Sequence, residues 1–227
     1  MTEIICQARH GQGRKCVITR RAAFSASHRY WLPELSADEN AAWFGPCALD
    51  PGHGHNYELI VSMAGALDAD GMVLNLSKVK HAIRNEITAQ LDFRFLNDAW
   101  PEFNLSQPEG CLPTTEALVR IIWNRLTPYL PIVALRLYEQ PGLWADYLGN
   151  DMEAYLTIHV HFAAAHRLAR QELDQEENEK IYGKCARPHG HGHNYMVDIT
   201  VRGPINKRTG MICDLSALHR LVNDLVV

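Results

Sequence analysis

The 227-residue sequence has no long hydrophobic run, and nothing in it approaches the ~20 apolar residues that a membrane-spanning helix needs. Its first fifteen residues mix charge with glycine and lack the apolar core of a secretory signal, so the chain reads as cytoplasmic. A basic field is also missing. With 22 Lys and Arg against 26 Asp and Glu, the formal charge is -4, which excludes electrostatic capture by nucleic acid or a membrane surface as the basis of function. Nor is there a disulfide framework: six cysteines in a chain of this size without a signal segment read as thiols. Cys6, Cys16, Cys111 and Cys213 belong to no repeated pattern. The Cys6, His10, Cys16 spacing matches no closed zinc site, and residues 1–15 read as a flexible lead.

What the sequence does contain is one string twice. Gly-His-Gly-His-Asn-Tyr occupies residues 52–57 and 190–195, and each copy has a cysteine, Cys47 or Cys185, six positions before its first histidine. A further histidine closes a short alternating segment upstream, His28 after Phe24-Ser25-Ala26-Ser27 and His166 after Phe162-Ala163-Ala164-Ala165. The offset is constant, because 166 − 28, 185 − 47 and 191 − 53 all equal 138. This divides the chain into a first domain over 16–150 and a partial second domain over 151–227.

Periodicity predicts a strand over 17–28 and a second from His55 through Tyr57, Leu59 and Val61. A turn at Asp68 to Gly71 leads to a helix from Leu76, capped by Asn75 or Ser77, with Val79, Ile83, Ile87 and Leu91 on one side. A second helix begins at Thr114-Thr115-Glu116 and ends before Pro128 and Pro131. A strand carrying Leu135, Leu137 and Glu139 on one face follows, and residues 142–153 connect to the second repeat with room for another strand. That repeat restarts at Tyr155, and its acidic run Glu172 to Glu179 is a solvated helical face. After a turn at Asn206 to Gly210 and a helix following Asp214, it has no counterpart for the first repeat from Ala89 onward, so it reads as truncated.

Residues two apart on a strand point the same way, so His53 with His55, and His191 with His193, each present two imidazoles on one face. A third ligand from the adjacent strand, His28 or His166, gives a three-histidine site with an open position, as catalytic zinc requires. Zinc there acts as a Lewis acid, and Cys47 and Cys185, with pKa values depressed by its charge, are candidate general bases. These parts suit proton abstraction from carbon next to a metal-bound oxygen. His189 replaces Pro51 of the first copy and is left out as a ligand. His159 and His161 share a strand face without counterparts and read as structural, and His10, His81 and His219 have no motif support.

Together, Phe24-Ser25-Ala26-Ser27-His28, Phe44-Gly45-Pro46-Cys47 with the GHGHNY string, Leu91-Asp92, Pro113-Thr114-Thr115-Glu116 and Leu137-Tyr138-Glu139 resemble the 6-pyruvoyl-tetrahydropterin and 6-carboxytetrahydropterin synthase family over nearly all of residues 16–227. The resemblance implies an α+β tunnelling fold, here in tandem, with an antiparallel sheet, helices on one face, and sites between subunits of a homo-oligomer. It implies zinc at His28, His53 and His55, and by the same match at His166, His191 and His193. Cys47 and Cys185 would shuttle protons, Glu139 would anchor a pterin, and Thr114, Thr115 and Glu116 would line its pocket. The implied substrate is the small molecule 7,8-dihydroneopterin triphosphate. Where the family places a histidine after the aspartate of Leu-Asp, this sequence has Phe93, so Asp92 alone remains of a proton-relay pair.

The resulting reading is a zinc-dependent lyase forming 6-carboxy-5,6,7,8-tetrahydropterin with release of triphosphate and acetaldehyde, on the route to queuosine and other deazapurines. The alternative product is 6-pyruvoyl-tetrahydropterin, which the 19-residue gap from His28 to Cys47 (47 − 28) favours. A second alternative, to which Phe93 points, is a non-catalytic zinc and pterin binding module.

Overall fold

The structure, a computed structural model, describes residues 16–226. The lead expected over 1–15, with Cys6 and His10, lies outside the described residues. One seven-stranded sheet organises the chain: β1 (Cys16–His28), β2 (His53–Gly65), β3 (Arg94–Phe95), β4 (Ile132–Gln140), β5 (Leu143–Tyr147), β6 (Glu153–His166) and β7 (His191–Pro204). Its spatial order is β3-β1-β2-β4-β5-β6-β7. All neighbours are antiparallel except the two-residue β3, which runs parallel to β1. The expected antiparallel sheet therefore carries a short parallel edge, and β5 fills the connector.

Among the described residues, five helices of eight residues or more accompany the strands: α1 (Ala37–Phe44), α2 (Leu76–Ile83), α3 (Thr115–Leu126), α4 (Gln175–Tyr182) and α5 (Leu215–Leu225). The stretch between β1 and β2, for which periodicity predicts no element, contains α1. Its start is fixed by a capping box, in which Ser36 accepts from Glu39 N–H and the Glu39 carboxylate accepts from Ser36 N–H. Buried Asn40 anchors it by accepting from Leu32 N–H at 2.8 Å and donating to the carbonyls of Leu32, Leu35 and Ser36. Asp174, Glu177 and Asn178 repeat every part of this arrangement at α4, 138 residues on. After α2 the chain continues helically through a π turn at Arg84–Thr88 to Ala89–Leu91. Val79, Ile83, Ile87 and Leu91 are spaced by four, which in a regular α-helix drifts about 40° per step. The wider π turn holds all four in the core.

The core belongs to the whole sheet. Leu118, Ile121, Ile122 and Leu126 of α3 pack with Leu59 and Val61 of β2, with Leu135 and Leu137 of β4, and with Leu156 and Ile158 of β6, all within one cluster. Each such side chain contributes about 1.5–3 kcal/mol by leaving water. Ile205 and Val222 join the same cluster, so the second repeat is built onto the first. Among the described residues, no helix is long and apolar enough to cross a membrane.

Candidate metal centre and pocket

Strand register assembles the first histidine cluster. His28 stands directly across from His53 in the β1–β2 ladder, and Ala26 stands across from His55, which puts the three imidazoles on one face. The loop entering β2 passes so close to β1 that a Cβ on Gly52 would lie 2.3 Å from the His28 carbonyl oxygen, and its φ of +104 suits glycine alone. Pro113 O lies 3.3 Å from His28 Nδ1 and, being an acceptor only, favours the tautomer in which Nδ1–H donates to it and the Nε2 lone pair faces His53 Nε2 at 3.1 Å. The Tyr57 hydroxyl is also 3.3 Å from Nδ1.

Burial, reinforced by His53 and His55, lowers the pKa of His28 to about 3; burial, then His53, lowers that of His55 to about 4. Burial also lowers that of His53. All three are therefore neutral at physiological pH, the state a metal needs. His53 Nδ1 and His55 Nε2 are buried without a hydrogen-bond partner, which is costly unless something else engages them. One donor atom from each histidine lies within 4.8 Å of the others. A soft-to-borderline trio of neutral imidazoles with an open side fits Zn2+.

The second cluster copies the first. His166 pairs with His191 and Ala164 with His193; Gly190 has φ +65, and a Cβ there would lie 2.4 Å from His166 O. Cys47 Sγ is 3.9 Å from His53 Nε2, and Cys185 Sγ is 3.9 Å from His191 Nε2. The surroundings differ. His28 is fully buried, whereas His193 and Tyr195 are exposed. Among the described residues no ion pair joins His193 to a carboxylate, while His55 Nε2 lies 3.4 Å from Glu139 Oε1.

Glu139 is buried at the end of β4 and accepts a hydrogen bond from the Thr115 hydroxyl. Burial raises its pKa. Glu116 is raised to about 7, mainly by burial, and accepts from Ile212 N–H at 3.1 Å. Thr114 caps α3 by accepting from Ala117 N–H and donates its hydroxyl proton to Gly210 O. Of the string expected to line a pterin pocket, Thr115 turns to Glu139, while Thr114 and Glu116 turn to the second repeat.

The Cys47 thiol is pushed up to about 11 by burial and by Glu139. The polypeptide therefore does not supply the depressed pKa expected from sequence; only a cation held by the histidines has the sign to do so. Asp92 is exposed beside β3, where its Oδ1 accepts from Ser25 N–H at 2.8 Å, and no bond joins it to Cys47 among the described residues. Phe93 is 87% exposed, with φ +56.

Residues given no site role from sequence line a cavity next to the site. A cavity of about 260 Å3 beside Cys47 is lined by Tyr30, Trp43 and Phe44 of the first repeat and by Met211, Cys213 and Asp214 of the second. Tyr30 is buried, and after burial the nearby Glu139 is the main influence opposing its ionisation. Its position two residues beyond His28, on the same face of an extended segment, was the available signal.

A mainly antiparallel α+β sheet that sets three neutral histidines suited to zinc beside a cysteine and a buried carboxylate has the parts of a metal-dependent enzyme. The chain belongs to the 6-pyruvoyl tetrahydropterin synthase family, whose profile matches residues 17–150 and again 155–227. The human 6-pyruvoyl tetrahydrobiopterin synthase is 38% identical over 146 residues, 62% of this chain and 97% of the human protein. A 6-carboxy-5,6,7,8-tetrahydropterin synthase of Haemophilus influenzae is 30% identical over 113 residues, 42% of this chain and 80% of that protein. The solved Caenorhabditis elegans 6-pyruvoyl tetrahydropterin synthase superposes with a TM-score of 0.55 at 27% identity, covering 60% of this chain and 97% of that one.

Proposed function

We propose that the chain converts 7,8-dihydroneopterin triphosphate to 6-pyruvoyl-tetrahydropterin, releasing triphosphate. The observation that carries this reading is the contact between Glu139 and His55, 3.4 Å apart, which sets a pterin anchor against the metal ligands. Human, orangutan and slime-mould relatives named for the pyruvoyl product align over 97–98% of their lengths at 38–39% identity, which favours that product over the carboxy product expected from sequence.

In this reading His28, His53 and His55 hold zinc, which when bound polarises the substrate's side-chain hydroxyls and eases loss of protons near them. Glu139, kept in place by Thr115, accepts paired hydrogen bonds from the pterin's amino and ring N–H groups. Cys47 takes a proton from side-chain carbon and returns it. His166, His191 and His193 form a second zinc site with Cys185 beside it, and among the described residues no buried carboxylate meets it as a pterin anchor. Asp92 accepts from Ser25 N–H and, with Phe93 beside it, brings no histidine to a relay; following the family's sites between subunits, we take the active form to be a homo-oligomer in which a neighbouring copy meets this site.

Mixing the zinc-loaded chain with 7,8-dihydroneopterin triphosphate and identifying the product by mass tests this assignment. The pyruvoyl compound with triphosphate is expected. Acetaldehyde would transfer the chain to the carboxy branch, and failure to consume substrate would establish the binding-module reading to which Phe93 points.

A further inference from the structure

Two turns hold equivalent places, one after β2 and one after β7. The first closes with Asp68 N–H on Met72 O at 2.8 Å, the second with Asn206 N–H on Met211 O at 2.9 Å. Because 206 − 68 is 138 but 211 − 72 is 139, the second turn has gained one residue. It reads Lys207-Arg208-Thr209-Gly210 where the first reads Ala69-Asp70-Gly71. Their contacts differ too: a Cβ on Gly71 would meet nothing within 4 Å, whereas one on Gly210 would fall 2.7 Å from Leu112 O and 2.9 Å from Thr114 Oγ1. The first turn stands open, and the second is seated on the first repeat.

Arg208 ties it there. Its Nε and Nη2 donate to the two carboxylate oxygens of Glu34, each at 2.8 Å, and its Nη1 donates to Leu105 O at 2.8 Å. Its own carbonyl accepts from Leu112 N–H at 3.2 Å. The guanidinium holds the Glu34 carboxyl down at about 2. The pairing runs in one direction. The counterpart of Glu34 is Glu172 (34 + 138), which lies 3.6 Å from neighbouring Arg170, and the first turn offers no cation.

We propose that Arg208 is a positioning residue for the first-repeat pocket: its planar fork fixes the second-repeat turn as a wall of that pocket, presenting Ile212 N–H to Glu116. This deepens the function proposed above and rests on it for its catalytic consequence. A lone exposed ion pair would be too weak for the task. A two-pronged carboxylate bond combined with a carbonyl acceptor, on a guanidinium side chain only 34% exposed, is stronger and fixes orientation.

The test uses the zinc-loaded full chain with Arg208→Ala, Arg208→Lys, Glu34→Ala and the Arg208→Ala/Glu34→Ala double variant. Arg208→Ala is expected to speed hydrogen exchange at the Leu112 and Ile212 amides and to raise KM for 7,8-dihydroneopterin triphosphate about tenfold, with kcat within about twofold, on the scale of charge-assisted bonds. Zinc per chain is unchanged. Arg208→Lys restores only part, because an ammonium cannot fork, and Glu34→Ala adds little to Arg208→Ala because the two act as one unit. Unchanged exchange and KM in Arg208→Ala overturn the proposal, as does a fall in kcat with KM intact. Should Arg208→Ala not fold, Glu34→Ala decides by the same two readouts. A wild-type chain that consumes no pterin refutes the function proposed above, and exchange at Ile212 then decides the clamp alone.

Discussion

Two carboxyl groups, Glu116 and Glu139, are buried within one pocket region and managed differently. Glu139 is held by a hydroxyl, while Glu116 receives a backbone N–H from the second repeat. The Glu116 pKa of about 7 exceeds its ordinary 4.5, so the folded chain keeps a proton that the unfolded chain has released. Its contribution to stability is thus whole below 4.5 and is lost as pH rises through about 7. Replacing Glu116 with Gln, which can still accept from Ile212, should leave the melting temperature near that of wild type at pH 5 and raise it above wild type at pH 8. Parallel thermal melts at the two values check this; a gap of the same size at both would show that the carboxyl does not titrate in the fold. The string Thr114-Thr115-Glu116 could be read as pocket residues from sequence, but their three different directions could not. Those are set by Gly210 and Ile212, nearly a hundred positions away.

Among the elements, α3 depends on its first turn. Thr114 both accepts from Ala117 N–H and donates to Gly210 O, so Thr114→Val keeps the volume and removes both bonds. Its unfolding free energy should fall by about 1–3 kcal/mol, read from the urea midpoint. A loss under about 0.5 kcal/mol would mean that solvent or a neighbour replaces the cap. Elements with a clear pattern, such as β1 and α3, are readable from sequence close to their observed limits. α1 is not, because its sequence Ala-Asp-Glu-Asn-Ala-Ala-Trp-Phe has no apolar stripe and its anchor is the buried amide of Asn40. The capping box at Ser36 and Glu39 was the one local signal. β3 is too short to carry a period, and the π turn in the helix after Leu76 is apparent only once its four apolar residues must share a face.

At the scale of the whole molecule, the two histidine clusters have one strand register in two environments. In the first, His28 is buried and oriented by Pro113 O; in the second, the partner of His166 Nδ1 among the described residues is the exposed Tyr195 hydroxyl, at 3.4 Å. Orienting bonds of this kind are worth roughly 10–100-fold in metal affinity. Zinc titration of the chelator-stripped chain should therefore resolve two sites per chain, with the cluster of His166, His191 and His193 the weaker and the first to yield to a chelator. A chain carrying His193→Ala should retain only the slow site, and equal release from both clusters would refute the ranking. The repeat itself is legible from the constant offset of 138, but its packing is not, because core membership is a long-range property. Leu156 and Ile158 of β6 share their core with Leu59 of β2 and with α3. That shared interior has a consequence for mutational tolerance. Duplicated domains normally give redundancy, in which damage to one copy leaves the other intact. Here Leu156→Ala, at the about 2–5 kcal/mol expected of such a cavity, would weaken the structure around both clusters together.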